Sequence, residues 1–208
     1  MNIIFKGIVG STAYGLNTEE SDIDIKGVYQ QPLEDILGFK YKERIDVSKD
    51  EVYYELRKFI ELIGKSNPTI LEMLWLPDNM VVQTSDAFEE LKRYRIDFLT
   101  KACKNSFVGY VYHQLEKAKN NKNTKNLMHV YRLLYSANDI VTNREINTYV
   151  GGMRKHLLDI RNGVENFDEI LKVAENFVQE IKVKFDKSDL PESIDQEMLH
   201  NLLVKLRL

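Results

Sequence analysis

The chain has 208 residues, 43% of them hydrophobic, 10% aromatic and 29% charged, which is enough apolar material for one core or two small ones and excludes a disordered chain. Its apolar stretches fall short of the roughly 20 residues of a membrane-spanning helix, and the N-terminal hydrophobic run, interrupted by Lys6, is too short for a secretion signal. A net charge of -3 argues against a general nucleic-acid coat, and the lone Cys103 leaves no internal disulfide or cysteine zinc knuckle, so a reducing cytoplasm is the expected location.

Residues 2–9, with Ile3, Ile4, Phe5, Ile8 and Val9, read as a strand. Gly10 and Ser11 then mark a tight turn and a short helix at 11–16, whose first N–H groups are available to a phosphate. Residues 22–29, DIDIKGVY, predict a second strand. Side chains alternate along a strand, so Asp22 and Asp24 share one face, close enough to hold one divalent ion, while Ile23 and Ile25 face the core. After Pro32, LEDILGF predicts a helical turn closed by Gly38, and IDVSKDEVY at 45–53 a further strand or strand pair.

From Tyr54 the period becomes helical, with Leu56, Phe59, Ile60 and Ile63 forming a stripe that stops at Gly64. Asn67 and Pro68 open the next helix, TILEMLWL, which ends at Pro77, and Ser85 and Asp86 cap another. A long helix is expected over 98–118, a linker over the Asn/Lys-rich 119–126, and helices over 127–142, 152–162, 165–186 and 192–206. The expected fold class is therefore mixed α/β (α+β): a sheet flanked by helices over 1–97, then a helical bundle over 98–208.

The pattern GSxxxG followed by SDxD resembles the signature of the nucleotidyltransferase superfamily that includes DNA polymerase beta. The blocks DEVYYELRKF, NPTILEMLWLP, KNSFVGYVYHQLEK and NLMHVYRLL resemble one of its subgroups, the RNA repair pathway DNA polymerase beta family. The resemblance implies a nucleotidyltransferase sheet. It also implies Mg²⁺ or Mn²⁺ held by three carboxylates, a nucleoside triphosphate as substrate, and an RNA or tRNA 3′ end as acceptor. Asp22 and Asp24 are the first two carboxylates. The third is Asp50, which opens DEVYYELRKF, with Asp46 as runner-up; Glu51 and Glu55 would face the opposite way from Asp50 in a strand.

Gly10 and Ser11 are the candidate phosphate contacts, and Tyr14 either stacks on a base or packs in the core. Lys58 could reach a triphosphate, although beside apolar positions 56, 59 and 60 it also reads, like Arg57, as the solvent side of a helix. His129 and Arg132 share a helical face beside Lys125, which suits a phosphate or a base. The run Lys117, Lys119, Lys122, Lys125 reads more as a solvated loop than a phosphate track; Arg154, Lys155, His156 and Arg161 form a second basic cluster; Met73 and Trp75 belong to the core. The competing functions are nucleotidylation of a protein or small-molecule hydroxyl and a catalytically silent nucleotide-binding module. A helical nuclease is disfavoured, because no Arg is followed by four to six residues and then His.

Overall fold

The computed structural model describes residues 2–208. Strand β1 (Asn2–Val9) runs antiparallel to β2 (Asp24–Gln30), and β2 runs parallel to β4 (Glu51–Glu55). Two three-residue strands, β3 (Arg44–Asp46) and β5 (Val81–Gln83), close the edges antiparallel to β4 and β1, giving the order β3-β4-β2-β1-β5. The short helix α1 (Gly10–Tyr14) joins β1 to β2, and α2 (Leu33–Leu37) follows β2.

The second strand starts later than the alternation predicts. Asp24 pairs with Val9, the last residue of β1, and Ile25 with Glu51, the first residue of β4, so Asp22 and Ile23 have no strand to pair with. Ile23, expected toward the core, is 59% exposed.

Helix α3 (Leu56–Gly64) buries the expected stripe of Leu56, Phe59, Ile60 and Ile63, and α4 (Pro68–Met73) is capped by the Asn67 side chain, which accepts from the Ile70 N–H. Ser85 likewise caps α5 (Asp86–Arg93), whose Phe88 stacks on Phe5 of β1 with ring centroids 3.8 Å apart. The remaining helices are α6 (Ala102–Asn121), α7 (Thr124–Asn143), α8 (Arg154–Arg161), α9 (Phe167–Lys187) and α10 (Gln196–Arg207).

No linker exists at 119–126. Helix α6 continues to Asn121, Lys122 adopts a left-handed turn (φ 46°), and the Asn123 side chain caps α7, so polar composition here marks a two-residue corner between packed helices. Lys119 and Lys122 pair with Glu175 and Asp168 of α9.

One cluster of buried side chains contains residues from both halves, from Ile4 to Leu202. Helix α10 returns to the sheet side. Arg207 binds the fully buried Glu55 at the end of β4, the Gln30 amide donates to the Leu206 carbonyl, and Lys205 pairs with Glu90 of α5.

Candidate active site

Asp22, Asp24 and Asp50 lie along the edge where β1 ends and where β2 and β4 begin. Because β2 and β4 are parallel and in register, the residues just ahead of the Ile25–Glu51 pair, Asp24 and Asp50, lie side by side, and the Ile25 N–H donates to the Asp50 carbonyl at 2.7 Å. Asp22, in the loop ahead of β2, is drawn to the same edge by Lys49, whose ammonium stands 3.2 Å from Asp22 Oδ2 and 3.7 Å from Asp50 Oδ2. Burial holds the Asp24 carboxyl above its usual range. Lys26 and Lys125 oppose that rise, and the neighbouring charges of Asp50 and Asp22 add to it.

Among the described residues no three His, Cys, Asp or Glu side chains are close enough together to hold a metal ion. The donor set nevertheless suits a hard divalent cation, since all three groups are carboxylates and a lysine ammonium already bridges two of them as a stand-in charge. The backbone is shaped around Asp24. Gly10 adopts φ 67°, and a Cβ there would collide with Oδ2 of Asp24, so only glycine lets the chain turn into α1 while the carboxylate lies against it.

The alternatives for the third acid are engaged elsewhere. Asp46 lies on edge strand β3 and accepts from Arg44 Nε at 2.8 Å. Glu51 faces the other side of the sheet, toward Lys6 and the Tyr53 hydroxyl, and Glu55 is held by Arg207 and by the N–H of Arg57.

Beneath the acids lies a cavity of about 140 Å³ whose walls include Gly10, Tyr14, Asp24, Lys26, Glu72 and Thr148. Lys26 and Glu72 do not emerge from the sequence reading. Lys26 carried a signal, since it lies two residues beyond Asp24 on the same strand face. Its ammonium is held below the usual lysine range by burial, against the pull of Glu72 and Asp24. Glu72, only 4% exposed on α4, accepts from the Tyr14 hydroxyl at 2.6 Å and from Arg132 NH1 at 2.6 Å, and the Arg132 guanidinium lies 4.0 Å from the centre of the Tyr14 ring.

Tyr14 thus lines the cavity with its hydroxyl and one ring face already engaged, and Arg132 serves as the counter-ion of Glu72. His129, one turn earlier on α7, is partly buried, and its imidazole is pushed down to about 4 by burial and then by the charges of Arg132, Lys125 and Arg161. It is neutral at pH 7. Lys125, at the start of α7, is near enough to depress the Asp24 carboxyl.

Lys58 is not brought to this edge. Asp50 precedes β4 and α3 leaves from its far end, so five strand residues, about 17 Å, lie between them. Lys58 pairs instead with Glu43 at 2.9 Å and Glu61 at 3.8 Å, and Arg57 lies over the Tyr41 ring.

The basic cluster on α8 turns out to be an anchor. Arg154 Nε donates to the Gly15 carbonyl at 2.7 Å and Arg161 NH1 to the Leu16 carbonyl at 3.1 Å, while the Val150 N–H donates to the Tyr14 carbonyl. The turn that follows Gly10 and Ser11 is therefore held by the helical half. Lys155 and His156 contact Asp159 and Glu165 instead. Met73 is buried, and Trp75 is partly buried beneath Arg95.

The sequence model of the RNA repair pathway DNA polymerase beta family matches residues 1–205. The chain is 32% identical over 131 residues to an uncharacterised 38.9 kDa protein from the nrdC-mobD intergenic region of Enterobacteria phage T4, covering 56% of this chain and 39% of that protein. It is 30% identical over 129 residues to the uncharacterised protein YcgL of Bacillus subtilis (strain 168), covering 58% of this chain and 46% of the relative. The matched region thus spans less than half the length of either relative. Among the described residues no helix is long and apolar enough to cross a membrane.

Proposed function

The chain belongs to the RNA repair pathway DNA polymerase beta family, and from that premise we propose that it transfers a nucleoside monophosphate from a nucleoside triphosphate to a hydroxyl, with an RNA or tRNA 3′ end as the acceptor. The observation that carries this reading is the ammonium of Lys49 bridging Asp22 and Asp50 beside an Asp24 that lies against Gly10. Acids so placed repel one another and gain from a shared cation. Asp22, Asp24 and Asp50 would hold Mg²⁺. When bound, such an ion neutralises the phosphate oxygens and the charge that develops as the bond to phosphorus changes partners.

The chain's own residues orient the reactants. Gly10 and Ser11, at the start of the short helix whose far end is held by Arg154, Arg161 and Val150, would present backbone N–H groups to the triphosphate. Lys26 and Lys125 supply positive charge on the side of the carboxylates away from solvent and from α7. In the reaction a bond forms between the acceptor oxygen and the α-phosphorus, the bond from that phosphorus to the bridging oxygen breaks, and pyrophosphate leaves.

The test incubates the protein with Mg²⁺, each labelled nucleoside triphosphate and a mixture of RNA, protein and small-molecule acceptors, then separates the products. Label in RNA is expected from the wild type. Asp22→Ala or Asp24→Ala should lower it by orders of magnitude with circular dichroism unchanged. Undiminished transfer by the double variant ends the proposal, and label confined to protein or small molecules replaces its acceptor.

A further inference from the structure

A second cavity, of about 450 Å³, lies behind the anchored turn, between α7 and residues 147–153. Its walls bring together Arg132 and Asp139 of α7 with Asn147 and Tyr149 of the following segment. Tyr149 is exposed over 57% of its surface, and its ring packs against Gly15 and Gly151, so the segment is laid directly on the turn that follows α1. Nothing in the transfer reaction as described uses Asp139 or Tyr149.

The polar groups of this cavity are arranged along a line. Arg132 and Asp139 are seven residues apart on α7, two turns, which sets them about 10 Å apart along the axis. At the Arg132 end, Nε is buried and has no acceptor among the described residues, although NH1 is bound to Glu72 and the guanidinium covers Tyr14, a wall of the first cavity. A buried donor in that state is unusual. At the other end, the Asp139 carboxylate receives the Asn147 amide at 3.3 Å, an amide that also donates to Glu145 at 3.1 Å, and keeps further acceptor capacity. Burial, more than any other influence, holds that carboxyl above its usual range, so added donors would favour its ionised form.

We infer that this cavity seats a guanine base, with Asp139 as the group that reads it, the Tyr149 ring beside its plane, and the sugar-phosphate running past Arg132 toward the acid edge. An ionised carboxylate only accepts hydrogen bonds. Guanine sets N1–H and the N2 amino group side by side, so one carboxylate takes both. In adenine and cytosine the amino group adjoins a ring nitrogen acceptor that repels the second carboxylate oxygen. In uracil the one N–H stands between two carbonyls. The base edge and the phosphate of one nucleotide are separated by about the two helical turns between Asp139 and Arg132.

The inference rests on the reading that nucleotides bind at this edge, and its test is kept apart from transfer. Guanosine needs neither metal nor triphosphate contacts, so its binding is measured by calorimetry in EDTA for the wild type, Asp24→Asn and Asp139→Asn, with circular dichroism as the folding control. Guanosine should bind the wild type and Asp24→Asn alike and bind at least tenfold better than uridine. Asp139→Asn should lose guanosine at least tenfold and turn to xanthosine, whose O2 accepts where guanine's amino group donates; a purely structural Asp139 would not produce that exchange. Absent guanosine binding, or equal binding to Asp139→Asn, overturns the assignment even if transfer is observed. Guanosine binding without any transfer would leave it standing while the proposed reaction falls. Displacement by GTP assigns the pocket to the incoming nucleotide and displacement by RNA with a 3′-terminal guanosine to the acceptor; displacement by neither overturns the assignment.

Discussion

Replacing Glu72 with Gln removes one negative charge from the interior while keeping an oxygen that can accept from the Tyr14 hydroxyl. Arg132, only 8% exposed, then has no counter-ion for its NH1 group, and its Nε already lacks an acceptor. Breaking a buried ion pair from one side costs about 3–5 kcal/mol, because the remaining charge stays desolvated. Against the roughly 5–15 kcal/mol that holds a typical domain together, that is a large fraction of the whole. Urea unfolding at pH 7 should show a lower midpoint with an unchanged slope. Removing both charges, as Glu72→Leu with Arg132→Met, should restore much of the loss, since apolar replacement of a buried pair is often neutral or stabilising. A Glu72→Gln loss under about 1 kcal/mol, or a double variant as unstable as the two single losses added together, would refute the view that the pair is a desolvated unit.

Lys49→Ala removes the ammonium that competes for Asp22 and Asp50, so Mn²⁺ followed by electron paramagnetic resonance should bind a few-fold more tightly than to the wild type; unchanged or weaker binding would mean that Lys49 does not occupy a cation position. His129 titrates near 6.5 unfolded and at about 4 folded, so below pH 6.5 the unfolded chain takes up a proton that the folded chain refuses. Stability from this group is fully present above pH 6.5 and is lost as the pH falls through about 4, a total of about 3 kcal/mol. His129→Gln should flatten that part of the urea-midpoint profile between pH 7 and 4.5, and an unaltered acid slope would show that His129 does not cause it.

The elements that could be read from the sequence are those whose signals are local. The stripe of Leu56, Phe59, Ile60 and Ile63, the Asn67–Pro68 start and the Ser85 cap each lie within one or two turns. Strand β5 escaped notice because three residues, Val81–Gln83, are too few to alternate, and it exists only because β1 offers an edge. The start of β2 depended on where its neighbours end, which no window around Asp22 contains. The SDxD spacing singled out Asp22 and Asp24, although Asp22 comes to the edge from a loop and not on the strand face that alternation predicts, and Asp50 is placed beside Asp24 by strand register. Glu72 was hidden because its partners, Tyr14 and Arg132, lie 58 and 60 residues away, and an acid inside an apolar helix gives no sign of the charge it will meet. Lys58, which read both as a triphosphate contact and as the solvent side of a helix, pairs with Glu43 and Glu61 because α3 leaves from the far end of β4.

The grip of Arg154 and Arg161 on the carbonyls of Gly15 and Leu16 makes the sheet and the helices unsuited to being exchanged as modules. A polymerase-type sheet grafted onto a different helical partner would retain its acids but lose the braces on the bend beside them. Under the proposed function, such a chimera would keep its cation ligands and fail to seat the triphosphate. The acid edge and the distant basic residues are therefore expected to tolerate change only together.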